Sequence, residues 1–132
     1  MGQKMSNETN AVNWFEIPVT DMDRAKKFYE ASFDVQMHSM DMPEMNLKMA
    51  MFPTDPTSGR IGGGIAQSQM HKPSATGTII YLNANPDLQN VLDRVEAAGG
   101  KITMPKTSLG PNGYMAFFMD TEGNIVGLHS ND

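Results

Sequence analysis

Residues 14–19 alternate with the two-residue period of a strand, placing Phe15, Ile17 and Val19 on one side and Trp14, Glu16 and Pro18 on the other. Thr20-Asp21-Met22-Asp23 follows, with a side-chain oxygen to take an orphan N–H and acids for the positive end of a helix. Ala25, Phe28, Tyr29, Ser32 and Phe33 then recur at the spacing of one buried helical face. Beyond them, residues 35–40, 46–52 and 61–67 read as three strands, separated by Pro43, Pro53, Pro56 and Gly59. The order is βαβββ.

The second half repeats this plan in pattern, not in identity. A β-branched and aromatic run at 78–83 predicts a strand. Asn85-Pro86 predicts a helix cap with proline at the first helical position. Leu88, Val91, Leu92 and Val95 make the buried stripe, and Gly99-Gly100 ends the helix. Strands are expected at 101–104, 114–119 and 124–129, with turns at Pro111-Asn112-Gly113 and Glu122-Gly123. The expected class is α+β, with one domain at 13–132 built from modules at 13–70 and 77–130, after a flexible tail at 1–12. Such modules pair into a curled eight-stranded mixed sheet around a concave cavity, and ligand pockets favour that kind of seam.

Composition narrows the function. A chain of 132 residues, 39% apolar and 19% charged, has the make-up of one soluble globular domain. The net charge of −5, with ten scattered Lys and Arg, argues against nucleic acid as a partner. The absence of cysteine removes disulfides, thiolate metal ligands and a cysteine nucleophile. No stretch approaches the roughly 20 apolar residues of a membrane span, and residues 1–12 carry no apolar leader core. A cytoplasmic location with no membrane partner is therefore expected. Met1-Gly2-Gln3-Lys4-Met5-Ser6 and Asn7-Glu8-Thr9 match short acylation and glycosylation patterns, which a polar tail explains without either modification. Thirteen methionines are a heavy load. Met49 and Met51 with Leu47, and Met115 and Met119 with Phe117, sit at strand spacing. They read first as a soft core, and otherwise as the pliable wall of a pocket.

Several segments, in order, resemble the vicinal oxygen chelate superfamily of glyoxalases, bleomycin-resistance proteins and extradiol dioxygenases. They are Phe15-Glu16-Ile17-Pro18-Val19 leading to Asp21 and Phe28-Tyr29, then Tyr81-Leu82-Asn83, Val95-Glu96-Ala97-Ala98-Gly99-Gly100, and Asp120-Thr121-Glu122-Gly123-Asn124. The resemblance covers residues 13–130. It implies eight strands in two βαβββ modules, often in dimers and sometimes with modules exchanged between subunits. It also implies four metal-ligating positions in the family's enzymes, on the first, fourth, fifth and eighth strands, filled by His, Glu or Gln. Carried over, those positions fall on Trp14, on Gly64 or Ala66, on Ile79 and on Gly127. None of these side chains donates to a divalent ion, so neither a metal nor another cofactor is expected.

Alternation leaves Trp14, Glu16 and Pro18, then Ile79, Tyr81 and Asn83, then Ile125, Gly127 and His129 toward the cavity, where Gly64 and Gly127 are expected to open space. In such a cavity Glu16 is the candidate base, and His129 its partner or a hydrogen-bond donor to substrate. Trp14, Tyr81, Asn83 and Gly127 are the candidate ligand-binding residues. The plainer alternative leaves Glu16 solvated at a rim and His129 merely at the end of a strand. His38, His71 and His129 show no ligand spacing to one another, and His71 reads as surface loop. Arg60-Ile61-Gly62-Gly63-Gly64 lacks the Lys and Ser or Thr of a phosphate loop and reads as close strand packing. Ser108 and the other serines lack a recognisable triad partner. Three functions follow for a protein expected to be a homodimer with a small-molecule ligand: a metal-independent lyase or isomerase, a non-catalytic antibiotic-sequestering protein, or a metal-dependent glyoxalase or dioxygenase with its ligands elsewhere.

Overall fold

The computed structural model describes residues 2–55 and 57–132. Met1, in the expected tail, and Pro56, in an expected break between strands, lie outside the described residues. The first module runs β1 (Trp14–Pro18), α1 (Met22–Phe33), β2 (His38–Met42), β3 (Leu47–Met51) and β4 (Gly62–Gln67). The second runs β5 (Tyr81–Asn83), α2 (Gln89–Val95), β6 (Lys101–Ser108), β7 (Tyr114–Met119) and β8 (Ile125–Ser130). Each module makes a four-stranded mixed sheet, ordered β1-β4-β3-β2 and β5-β8-β7-β6, with its first and last strands paired in parallel. The α+β class and the two βαβββ modules are those the sequence implies. The eight strands nevertheless stand as two sheets that do not close on one another.

The helices decide where the core lies. Asp21 caps α1 by accepting from Arg24 N at 3.1 Å, and Asp34, at φ 53°, ends it in the left-handed region. On its buried face the Phe28 and Tyr29 rings meet edge-on, 4.9 Å apart. Both reach Phe118 of β7, at 5.6 and 6.2 Å, and Tyr29 also reaches Phe52 beyond β3 at 5.5 Å. One helix thus packs on both modules. Val91, Leu92 and Val95 of α2 enter the same cluster, with Ile17, Ile65, Leu82, Val126 and Leu128 pointing in from the strands. The opposite face of each sheet is turned away from that shared core.

Several boundaries differ from the expected ones. Asn85 does not cap α2, because its side chain is engaged elsewhere: Nδ2 donates to Asn83 Oδ1 at 2.9 Å and Oδ1 accepts from Asn131 N at 2.8 Å. Pro86 follows across a cis peptide, ahead of the helix rather than at its first position, and Asp87 accepts from Gln89 N instead. β2 starts at His38, since Val35 N and Met37 N still bond back to Glu30. β5 shortens to the three residues that pair with β8, and β6 runs on to Ser108 because β7 stays beside it through two irregularities.

The β7–β8 turn clamps the modules together. Asp120 is buried, and its carboxylate accepts from Tyr29 Oη at 2.7 Å, from Asn124 Nδ2 at 2.9 Å, and from the Glu122 and Asn124 amides at 2.9 Å. Glu122 reaches back to the N-terminus of α1, accepting from Thr20 N and Asp21 N at 2.9 Å and from Arg24 Nε at 2.7 Å. Burial pushes the Glu122 carboxyl toward protonation. Hydrogen bonds from Arg24, the Thr20 amide, Thr121 and the Asp21 amide outweigh it and lower the pKa from 4.5 to about 2. A carboxylate held below its unfolded value adds stability above that value, and the gain is lost as pH falls through the folded one. Thermal melts should therefore drop steeply between pH 4.5 and about 2 for the parent chain. Glu122→Gln should melt lower at pH 7 and show a flatter profile in that window; parallel profiles for the two proteins would refute the clamp.

Candidate functional site

Strand register shows what the outward faces carry. In the first sheet Trp14, Glu16 and Pro18 lie beside Gly62, Gly64 and Ala66. Met51 and Met49 follow on β3, then His38, Met40 and Met42 on β2. In the second sheet Tyr81 and Asn83 lie beside Gly127 and His129, followed by Phe117 and Met115, with Met119 opposite Ile125 and Met104 opposite Phe117. Seven of the thirteen methionines thus sit on outward faces, at 40, 42, 49, 51, 104, 115 and 119. The core cluster itself is Ile, Val, Leu, Phe, Tyr and Ala with one methionine, Met37; Met49 is also buried, on the other side of β3. The soft-core reading holds for Met37 and Met49, which are buried; the others named wall faces that the helices do not cover.

The polar centre of the first face is Glu16. Trp14 Nε1 donates to its Oε2 at 3.1 Å, and His71 Nε2 lies 2.7 Å from its Oε1. His71 Nδ1 is in turn 2.6 Å from Ser68 Oγ. The loop histidine that reads as mere surface in the sequence is the ring that meets the candidate base. No signal in the linear order marks it, because the two residues are 55 positions apart and meet only when the inter-module segment folds over β1. His129 is on the other sheet, its Nε2 2.8 Å from the Asn112 carbonyl, and no hydrogen bond joins it to Glu16 within the chain.

The glycines do not open the space expected of them. The Tyr81 ring lies over Gly127, so that a Cβ there would stand 2.6 Å from a ring carbon. At Gly64 a Cβ would meet the Ala50 carbonyl oxygen, and at Gly63 the Phe15 ring, so the glycine run is close strand packing. Trp14 and Tyr81 remain 43% and 47% exposed, an unusual state for large aromatic side chains on strands. Asn83 turns its side-chain carbonyl to Asn85 N at 3.0 Å. A cleft of about 730 Å³ lies between the modules and reaches Tyr81 and Asn83, with Phe15, Phe52, Ile80 and Leu82 among its walls. Trp14, Glu16, Gly127 and His129 lie outside it.

The donor set does not fit a chelated divalent ion. The four implied positions offer an indole, a glycine or alanine, an isoleucine and a glycine. Among the described residues no three His, Asp or Glu side chains gather where they could share an ion. No helix among the described residues is long and apolar enough to cross a membrane.

Comparison with known proteins agrees with the fold. A family model described as the Glyoxalase/Bleomycin resistance protein/Dioxygenase superfamily matches residues 11–128. A glyoxylase-like domain-containing protein of Didymella fabae is 31% identical over 119 residues, covering 86% of this chain and 88% of that protein. CFP32 of Mycobacterium tuberculosis is 30% identical over 118 residues, 88% of this chain but 44% of its own length, so the chain spans less than half of that relative. Among solved structures, glyoxalase I of Zea mays superposes with a TM-score of 0.65 at 21% identity, over 89% of this chain and 43% of that one. TnmS3, an antibiotic binding protein from Streptomyces sp. CB03234, gives a TM-score of 0.62 at 21% identity, over 96% and 100%. At these identities the two structures show a shared fold.

The glycine contacts give a graded test in urea unfolding. Gly64→Ala meets a backbone carbonyl that cannot step aside, and should cost about 2–3 kcal/mol. Gly127→Ala meets the edge of a half-exposed ring that can swing away, and should cost less than about 1.5 kcal/mol. The reverse order would show that the ring, and not the strand, is the rigid partner.

Proposed function

The chain belongs to the glyoxalase/bleomycin resistance protein/dioxygenase superfamily, and on that premise we propose that it binds a small aromatic or otherwise polarisable organic molecule against the methionine-walled faces of its sheets, without chelating it through a metal. The observation that carries this reading is the sorting of side chains. Branched and aromatic residues fill the core, while methionine, glycine and two exposed aromatic rings occupy the outward faces. Thioethers on flexible stems conform to varied shapes and make favourable contacts with aromatic rings, which suits a binder of variable ligands. An antibiotic binding protein of the same fold, TnmS3, lends support to sequestration.

In this reading the working form is a cytoplasmic homodimer in which the first sheet of one copy faces the second sheet of the other. That arrangement would cover Trp14, Ile79 and Tyr81, which stand exposed on the single chain. It would also bring Glu16 of one copy and His129 of the other to one cavity, with Asn83 and Gly127 beside the ligand. A second reading is favoured by the imidazole on Glu16: a metal-independent lyase or isomerase in which Glu16 takes a proton from the bound molecule and His129 donates a hydrogen bond.

Trp14 is the one tryptophan of the chain, so its emission reports on this face directly. Titration with a panel of polycyclic aromatic and glycopeptide antibiotics should quench or shift that emission. Met51→Glu and Met115→Glu should each weaken the response about tenfold or more, with little change in melting temperature. Indifference of Trp14 emission to the whole panel would remove the reading. Sedimentation should give twice the 14.5 kDa chain mass, with Tyr81→Lys shifting the species to a monomer; a parent protein that sediments as a monomer at every concentration would exclude the shared cavity.

A further inference from the structure

We propose that His71 is a positioning and specificity-determining residue: it sets the aim and net charge of Glu16, and through Glu16 decides whether the outward face of the first sheet accepts a cationic ligand. The ligand half of this statement rests on the binding reading above; the His71 half does not.

The geometry is a continuous chain of hydrogen bonds. Trp14 Nε1 donates to Glu16 Oε2 at 3.1 Å, Glu16 Oε1 is 2.7 Å from His71 Nε2, and His71 Nδ1 is 2.6 Å from Ser68 Oγ. The segment that delivers His71 turns tightly at one end and is tied to the β7–β8 turn at the other. Ser68 Oγ accepts from Met70 N at 3.1 Å, and Ser74 N donates to Asn124 Oδ1 at 3.0 Å, next to the buried Asp120. The Glu16 and His71 side chains are 33% and 20% exposed, so a bound molecule can reach them while bulk water is reduced.

Ser68 lets this chain exist in two charge states without moving a heavy atom. With a neutral ring, His71 Nε2–H donates to the carboxylate and the serine O–H donates to Nδ1. With a protonated ring, Nδ1–H donates and the serine oxygen accepts, since a hydroxyl does either. The pair is therefore a net anion in the first state and neutral in the second. No other ion pair competes for Glu16 among the described residues. On this face β3 and β4 bring no ionisable group, β2 brings His38 at the far edge opposite Met51, and Lys72 follows His71 in the loop. The charge presented beside Trp14 thus follows His71.

Trp14 reads the state of the chain because its indole N–H is bonded to the same carboxylate. Its emission in the ligand-free protein should show one transition as the imidazole gains its proton. Glu16→Gln and His71→Gln should both lose it, while His38→Gln keeps it and circular dichroism confirms that all are folded. A featureless parent profile, or a transition surviving in His71→Gln, overturns the proposal. The ligand half uses benzyltrimethylammonium, whose charge does not titrate. It should bind roughly fivefold tighter at pH 8.5 than at pH 5.5 in the parent, and equally at both in His71→Gln. Equal binding at both pH values in the parent overturns the specificity role. Failure of the probe to bind at all counts against the ligand reading alone, since the emission transition needs no ligand.

Discussion

Everything that positions the candidate site depends on satisfying one buried carboxylate. Asp120 carries a charge that the interior tolerates only when its lone pairs are occupied. Its partners come from both modules, with Tyr29 Oη from α1 on one side and the amides of its own turn on the other. Burial first, and the Asp120 charge second, push the Tyr29 phenol well above its ordinary pKa, so it stays a donor. Asn124 extends the same knot, with Nδ2 reaching the Pro18 carbonyl at 2.7 Å and Oδ1 taking the Ser74 amide. The end of β1, which carries Trp14 and Glu16, and the segment that carries His71 are thereby held against one turn. Remove that turn's geometry and the site loses both of its supports.

A consequence follows for the faces. Because α1 must meet Asp120 and Phe118 of the second module as well as the first sheet, both helices lie between the sheets and use up their inward faces. What remains outward is free to differ in kind. The core needs one well-defined packing, and stiff branched side chains provide it. A surface proposed to receive molecules of several shapes would be better served by unbranched methionines, at the expense of definition. The chain draws this distinction along single strands: on β7, Met115, Phe117 and Met119 look out while Ala116 and Phe118 look in.

Periodicity made much of this legible. Alternation in β1 and the stripe of α1 announce themselves because one side is polar or interrupted, and the residues at Asp120 to Gly123 carry turn chemistry. The failures have separate causes. On strands such as β3, β7 and β8 both faces are apolar, so alternation shows which residues share a face but not which face meets the helices. Chemistry alone therefore reads the methionines first as core and otherwise as pocket wall. Asn85 looked like a cap because its side chain suits that role, but a distant amide, Asn131 N, claims it first. His71 was invisible for a deeper reason: its meaning lies in Glu16, and nothing short of the folded inter-module segment brings them together.

The empty donor positions can now be given a physical sense. A chelated ion would place a double positive charge at the centre of the cavity and draw in ligands with neighbouring oxygens. Here an indole stands at one of the family's positions and a glycine at another, and the Tyr81 ring lies across that glycine. The ring occupies room that a ligated ion would need, and it does so with an apolar surface. The local field then comes from the opposite sign, a single carboxylate two residues along β1 whose partner is an imidazole. A site so built, if it binds as proposed, would discriminate by shape, polarisability and one adjustable negative charge. On the proposed reading, ligand selection in this chain would pass from coordination geometry to one hydrogen-bonded pair.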